Sequence, residues 1–221
     1  VTTLFVIRHG LTAHTGKLLY GRMRGIELDG RGRAQAEALA RRFEPIRLTA
    51  IYASPLERCV QTVEPLAAAQ GLPIREREAW IEMDAGAWTG RSLGRLRRTR
   101  AWREVQGSPS TFRFPGGGEG FAEALARIAA ELRWIARRHR RGRVAVATHG
   151  DIARLLLAYV QAMPLDRFQR IVVDPASVSV VRLAAPEPKV LLVNDTGDLG
   201  RFAREPAPPW EAAGRRGRVR G

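Results

Sequence analysis

The chain has 221 residues, 45% of them hydrophobic, which is enough for one well-buried core, so a single domain over residues 1–203 is expected, followed at 204–221 by a basic Pro/Arg-rich tail that reads as disordered. The formal charge of +15 is spread along the chain and is nearly all arginine, Lys17 and Lys189 being the only lysines, which makes nucleic acid an unlikely primary partner and favours attraction of small anions. One cysteine, Cys59, excludes a disulfide framework; no apolar run approaches the ~20 residues of a membrane span, and Val1 to Ile7 is too short for a signal-peptide core, so a cytoplasmic protein without membrane contact is expected. Thr3 to Ile7 predicts a buried strand ending at Arg8-His9-Gly10. From Asp29 to Phe43 the alanine and apolar positions suit an amphipathic helix that Pro45 helps to stop. Leu48 to Ala53 predicts a second strand, after which Ser54 is placed as N-cap and Pro55 at the first position of a helix running toward Ala69, with Pro65 able to kink or divide it. Gly71-Leu72-Pro73 turns the chain, Ile74 to Glu78 admits a strand, and Gly86 and Gly90 frame a loop around Trp88. After another loop from Phe114 to Gly120, Phe121 to Arg138 carries Leu125, Ile128, Leu132 and Ile135 at helical spacing. Arg143 to Ala147 predicts a third buried strand leading to Thr148-His149-Gly150; Asp151 is placed as cap of a helix through Tyr159, and Val178 to Leu183 and Val190 to Val193 predict two closing strands.

Strands alternating with helices of this length predict an α/β fold, a three-layer α/β/α sandwich with a mostly parallel central sheet whose ligands sit at the carboxyl ends of the strands. Three strands then end at reactive or cationic residues: one at Arg8 and His9, one near Arg58, one at His149. A shared sheet edge would gather them, and arginine forks beside helix N-termini make a pocket for phosphate. A metal site is the rival explanation of two His-Gly pairs. Neither histidine has an HxH, HExxH or HxxxD neighbourhood, and adjacent arginines repel a cation, so no metal and no cofactor is expected.

The ordered motifs Arg8-His9-Gly10-Leu11-Thr12, Gly21-Arg22, Leu28-Asp29, Gly32, Gln35-Ala36, Ser54-Pro55-Leu56-Glu57-Arg58-Cys59-Val60-Gln61-Thr62, Glu82 to Gly90, Pro115-Gly116-Gly117, Thr148-His149-Gly150 and Asn194-Asp195-Thr196 resemble the histidine phosphatase superfamily, also called phosphoglycerate-mutase-like. The resemblance implies a phosphoglycerate-mutase-like fold and a metal-independent phosphomonoesterase. It makes His9 the nucleophile that becomes phosphohistidine, with Arg8, Arg58 and His149 binding the phosphoryl group and Glu82 donating the proton. Asp84 is the nearest substitute for Glu82. Thr15 stands where many members have asparagine, and Thr15, Gly21 and Gly150 complete the expected phosphate or substrate contacts. His14 is read as a solvated loop residue, and Trp80, Trp88, Trp102 and Phe112 as packing rather than pocket wall.

Leu11, where mutases usually carry glutamate, and the short stretch from Arg91 to Thr148 favour hydrolysis of a small phosphorylated metabolite over phosphomutase activity. A catalytically silent RNA-binding protein is the alternative from another class, and the intact set of site residues argues against it. A homodimer is compatible with the sequence.

Overall fold

Alternation within single strands decides how the two faces of the sheet are covered. In the computed structural model, which describes residues 1–184 and 187–197, β1 (Thr2–Arg8) turns Leu4 and Val6 to one face and Phe5 and Ile7 to the other. The short β2 (Leu18–Leu19) precedes α1 (Gly30–Arg42), then come β3 (Ala50–Ala53), α2 (Glu57–Gln70) and β4 (Ile74–Glu76). β5 (Arg91–Ser92) leads into α3 (Leu93–Leu96) and α4 (Arg100–Gly107). The chain continues through α5 (Phe121–Arg138), β6 (Arg143–Thr148), α6 (Gly150–Val160), β7 (Val178–Leu183) and β8 (Lys189–Asp195). The main sheet has the order β4-β3-β6-β1-β7-β8, with β4, β3, β6 and β1 parallel and β7 antiparallel to both its neighbours.

Helices α1 and α2 cover the Phe5 and Ile7 face through Leu39, Phe43, Val63 and Leu66; α5 and α6 cover the other through Ile128, Ile135, Leu155 and Leu156. Each such fully buried aliphatic side chain contributes roughly 1.5–3 kcal/mol. The result is the expected three-layer α/β/α sandwich with a mostly parallel sheet. Among the described residues, no helix is long and apolar enough to cross a membrane. The tail expected at 204–221 lies outside the described residues.

Two expected caps are corrected. Ser54 does not cap α2: the helix begins at Glu57 with extended Leu56 as its N-cap, and the Ser54 hydroxyl is 2.8 Å from His149 Nε2 instead. Asp151 does not cap α6 either, because β6 runs on to Thr148 and His149, extended at φ −113°, is the residue that enters the helix. Asp151 sits inside the first turn and pairs with Arg154 at 3.1 Å. Pro65 neither ends nor divides α2. The proline and Gln61, whose carbonyl loses its helical donor, both lie on the partly exposed side, while Cys59, Val63 and Leu66 bury the other.

Close approach of α1 to the loop after β1 fixes the first motif. A Cβ on Gly32 would lie 2.0 Å from the Leu11 carbonyl oxygen, and Gln35 Oε1 accepts the Leu11 N–H at 2.9 Å. Gly32→Ala is therefore expected to lose about 2–4 kcal/mol of stability, because the clash is with backbone and can be relieved only by moving the loop that carries His9. Urea melts read this directly, and an unchanged midpoint would show that the helix and loop are not held at this spacing.

Candidate active site

Strand register brings the sequence motifs to one edge. Arg8 is opposite Thr148 and Ala53 opposite Ala147, so β1, β6 and β3 end together, with His9, His149 and Ser54 as their next residues. The His9 N–H donates to the Thr148 carbonyl (2.9 Å), and Ser54 N–H to that of Ala147 (2.9 Å), which extends the ladder into the site. Thr62 then ties two motifs together: its Oγ1 donates to the Arg58 carbonyl at 2.6 Å and accepts the Gly10 N–H at 2.9 Å.

His9 is 2% exposed and its Nδ1 lies 2.8 Å from the Gly10 carbonyl oxygen. A carbonyl only accepts, so Nδ1 carries the hydrogen and Nε2 keeps its lone pair. Burial, then the charges of Arg58 and Arg8, push the His9 pKa well below the usual imidazole range, so the ring is neutral. His149 lies against it, ring centroids 5.3 Å apart, and is likewise held neutral by burial first and by Arg58 next.

The two arginines are held by backbone carbonyls and keep spare donors. Arg8 Nη1 donates to Val173 O at 2.6 Å; Arg58 donates from Nη2 to Gly21 O at 2.7 Å and from Nη1 to Met23 O at 3.1 Å. Both Nε–H groups are buried and have no acceptor among the described residues. A buried cationic donor left unpaired is costly, and an anion placed between them would satisfy both. Tyr20 braces Arg58, its ring centroid 4.8 Å from the guanidinium carbon and 6.3 Å from the His9 ring.

Arg8, His9, Gly21, Glu82 and Gly150 line one cavity of about 410 Å³; Arg58 and His149 are fully buried beside it. A Cβ on Gly150 would sit 3.3 Å from Arg8 Nε, so glycine is what lets that guanidinium lie against the start of α6. Glu82 is pushed up to about 7, chiefly by burial and then by Asp151, against the pull of the Met83 N–H, Arg58 and Arg8. Its backbone is clamped: Arg22 Nε and Arg127 Nη2 both donate to the Glu82 carbonyl, at 2.8 and 3.4 Å, and both arginines are paired with Glu119.

Not every expected residue reaches the cavity. Thr15 does not line it; its hydroxyl accepts the Thr12 N–H at 3.0 Å and closes a local turn. Asp84, the substitute for Glu82, points elsewhere and accepts the Gly86 N–H at 2.9 Å. His14 is half-buried in the loop and also off the wall. Trp80 is fully buried and Phe112 packs on Trp88, as expected of packing residues, whereas Trp102 does line the cavity. Tyr20, Arg97, Asp151 and Arg154 on the wall, and Arg22 and Glu119 behind Glu82, were not expected there from the sequence; of these only Arg22 stands in a motif that gives a signal. Cys59, 3.4 Å from His149 Nε2, has its thiol pushed up to about 12 by burial and is no nucleophile at neutral pH. Among the described residues no group of three or more His, Cys, Asp or Glu side chains is arranged so that it could hold a metal ion.

A cavity at the carboxyl ends of a mostly parallel sheet is where α/β proteins bind their ligands. Residues 4–196 match the model of the histidine phosphatase superfamily (branch 1), and the chain belongs to that superfamily. Phosphoserine phosphatase 1 of Hydrogenobacter thermophilus is 30% identical over 190 residues, covering 82% of this chain and 88% of that protein. The metal-independent phosphoserine phosphatase of Arabidopsis thaliana is 31% identical over 191 residues, covering 83% and 77% respectively. Among solved structures, Bacillus stearothermophilus YhfR superposes with a TM-score of 0.79 at 28% identity, over 88% of this chain and 98% of that one. The chain is a phosphatase of this superfamily.

Proposed function

We propose that the enzyme hydrolyses small phosphomonoesters, without a metal, through a phosphohistidine on His9. The observation that carries this reading is the His9 ring itself: buried, neutral, and fixed by Gly10 so that Nε2 holds the lone pair. Nε2 attacks phosphorus as the ester P–O bond breaks, while the spare donors of Arg8 and Arg58 meet the equatorial oxygens where charge collects and His149, packed against His9, borders the phosphoryl group. Glu82, protonated to about neutral pH, gives its proton to the leaving oxygen. As carboxylate it then takes a proton from water, whose oxygen attacks phosphorus and breaks the P–N bond. Phosphate leaves, and both side chains return to their starting protonation.

Relatives named phosphoserine phosphatases make O-phosphoserine a first ester to assay, and 3-phosphoglycerate discriminates hydrolysis from phosphoryl shuffling. Steady release of inorganic phosphate is expected from at least one such ester. Interconversion of 2- and 3-phosphoglycerate without phosphate release would make the enzyme a mutase using the same nucleophile. No step passes through a metal, so turnover is expected to stay within about twofold in excess EDTA. A loss restored by a divalent cation would overturn the proposed chemistry.

A further inference from the structure

The His9 end of the cavity is polar, and about half of the wall is apolar, with Gln106 and Gln169 as polar neighbours of that half. Leu18 and Leu19 of β2, Trp102 and Val105 of α4, Phe114 of the following loop and Phe121 at the start of α5 face the same space. Trp102 is held in place by stacking on Trp88, ring centroids 6.1 Å apart and planes within 24°. A polar leaving group against these side chains would lose its water without gaining partners, whereas an apolar one would release water from both surfaces. The volume of about 410 Å³ also exceeds what a phosphate and a three-carbon chain can fill, and lies in the range of sites for larger metabolites.

Charge adds a second requirement. Three arginines line the cavity: Arg8 is committed to phosphate, Arg154 is paired with Asp151, and Arg97 stands exposed at the rim with no ion-pair partner among the described residues. Resting on the reaction proposed above, we infer that the preferred substrate is a phosphomonoester whose leaving group has an apolar body the size of an aromatic ring and a carboxylate at its far end, set against Arg97. Leu18, Trp102 and Arg97 are then the residues that select it.

The test uses three esters whose leaving oxygens are all alkoxides, so that differences report recognition: O-phosphoserine, benzyl phosphate and 4-carboxybenzyl phosphate. With the full chain, kcat/KM is expected to rise about tenfold from phosphoserine to benzyl phosphate, and several-fold again for the carboxylated ester, mostly through KM. Arg97→Gln should bring the ratio of the two benzyl esters close to one. Trp102→Ala should lower the ratio of benzyl phosphate to phosphoserine about tenfold. Because that change removes a ring stacked on Trp88, Leu18→Asn, outside the stack, serves as a second probe and should move the same ratio in the same direction. His9-dependent turnover that favours phosphoserine, or ratios unmoved by these variants, would overturn this inference and leave the phosphatase reading standing. If no ester is cleaved, or cleavage survives His9→Ala, the proposed reaction itself fails and this inference falls with it.

Discussion

His9→Ala is expected to reduce kcat by roughly 10⁴-fold or more and to abolish any acid-labile phosphorylated enzyme in rapid-quench experiments. The size of the loss follows from the geometry. Among the described residues nothing else near the phosphate site offers a neutral lone pair with the same support, since His149 is occupied by Ser54 at Nε2 and the Cys59 thiol, pushed up to about 12, stays protonated. Arg8 and Arg58 survive the substitution, so phosphate should still bind, and the variant should retain inorganic phosphate as a competitive ligand in calorimetry. Wild-type turnover by His9→Ala would remove the covalent mechanism altogether.

Glu82→Gln is expected to separate activity from stability. The acid step is lost, so kcat for alkyl phosphates should fall by about 10²–10⁴-fold, and by much less for p-nitrophenyl phosphate in the first step, whose leaving group needs no proton. Dephosphorylation also needs Glu82 as base, so the phosphorylated enzyme should accumulate with that substrate. In the wild type, kcat/KM for alkyl phosphates should decline as pH rises through about 7, because the group that must be protonated gives up its proton there.

Stability moves the other way. The folded-state pKa of Glu82, about 7, is raised above the ordinary 4.5, so the folded chain binds that proton more tightly than the unfolded one. The stability gained is full below about pH 4.5 and is lost as pH climbs through 7. At pH 8 the ionised carboxylate thus costs at most about 3 kcal/mol, with solvent reaching part of the group and screening it. Glu82→Gln should therefore unfold at a higher urea concentration than the wild type at pH 8 and show little difference at pH 4. A wild type equally stable at both, or a destabilised variant at pH 8, would contradict the buried-acid account.

What the sequence disclosed depended on how local the cause was. Strands β1, β6 and β7 and helices α1 and α5 were legible because the apolar pattern is written within each segment, although the cap that Asp29 places on the Gly32 N–H was not read. The short ladder of β2 with β5 and the helices α3 and α4 were not, since two-residue strands and helices of at most about two turns carry too little period to be read. Ser54 and Asp151 are the usual types for a helix cap, and local chemistry alone favoured that assignment. What overrode it was distant in sequence: a histidine 95 residues away for Ser54, and the length of the preceding strand for Asp151. Tyr20, Arg97 and Arg154 reach the cavity from segments with no motif of their own, so only coordinates could place them.

The phosphate end of the cavity is built from the ends of β1 and β6, on which the whole sheet depends, whereas the apolar wall comes from β2, α4 and the loop before α5, with few ties to the sheet. Variation in that outer wall can thus change which molecule is admitted while the reacting atoms keep their positions. Descendants of one scaffold can diverge in diet without relearning their chemistry, and an engineer retuning this enzyme would rebuild β2 and the segments between 93 and 114, leaving Glu119 and the strand ends alone.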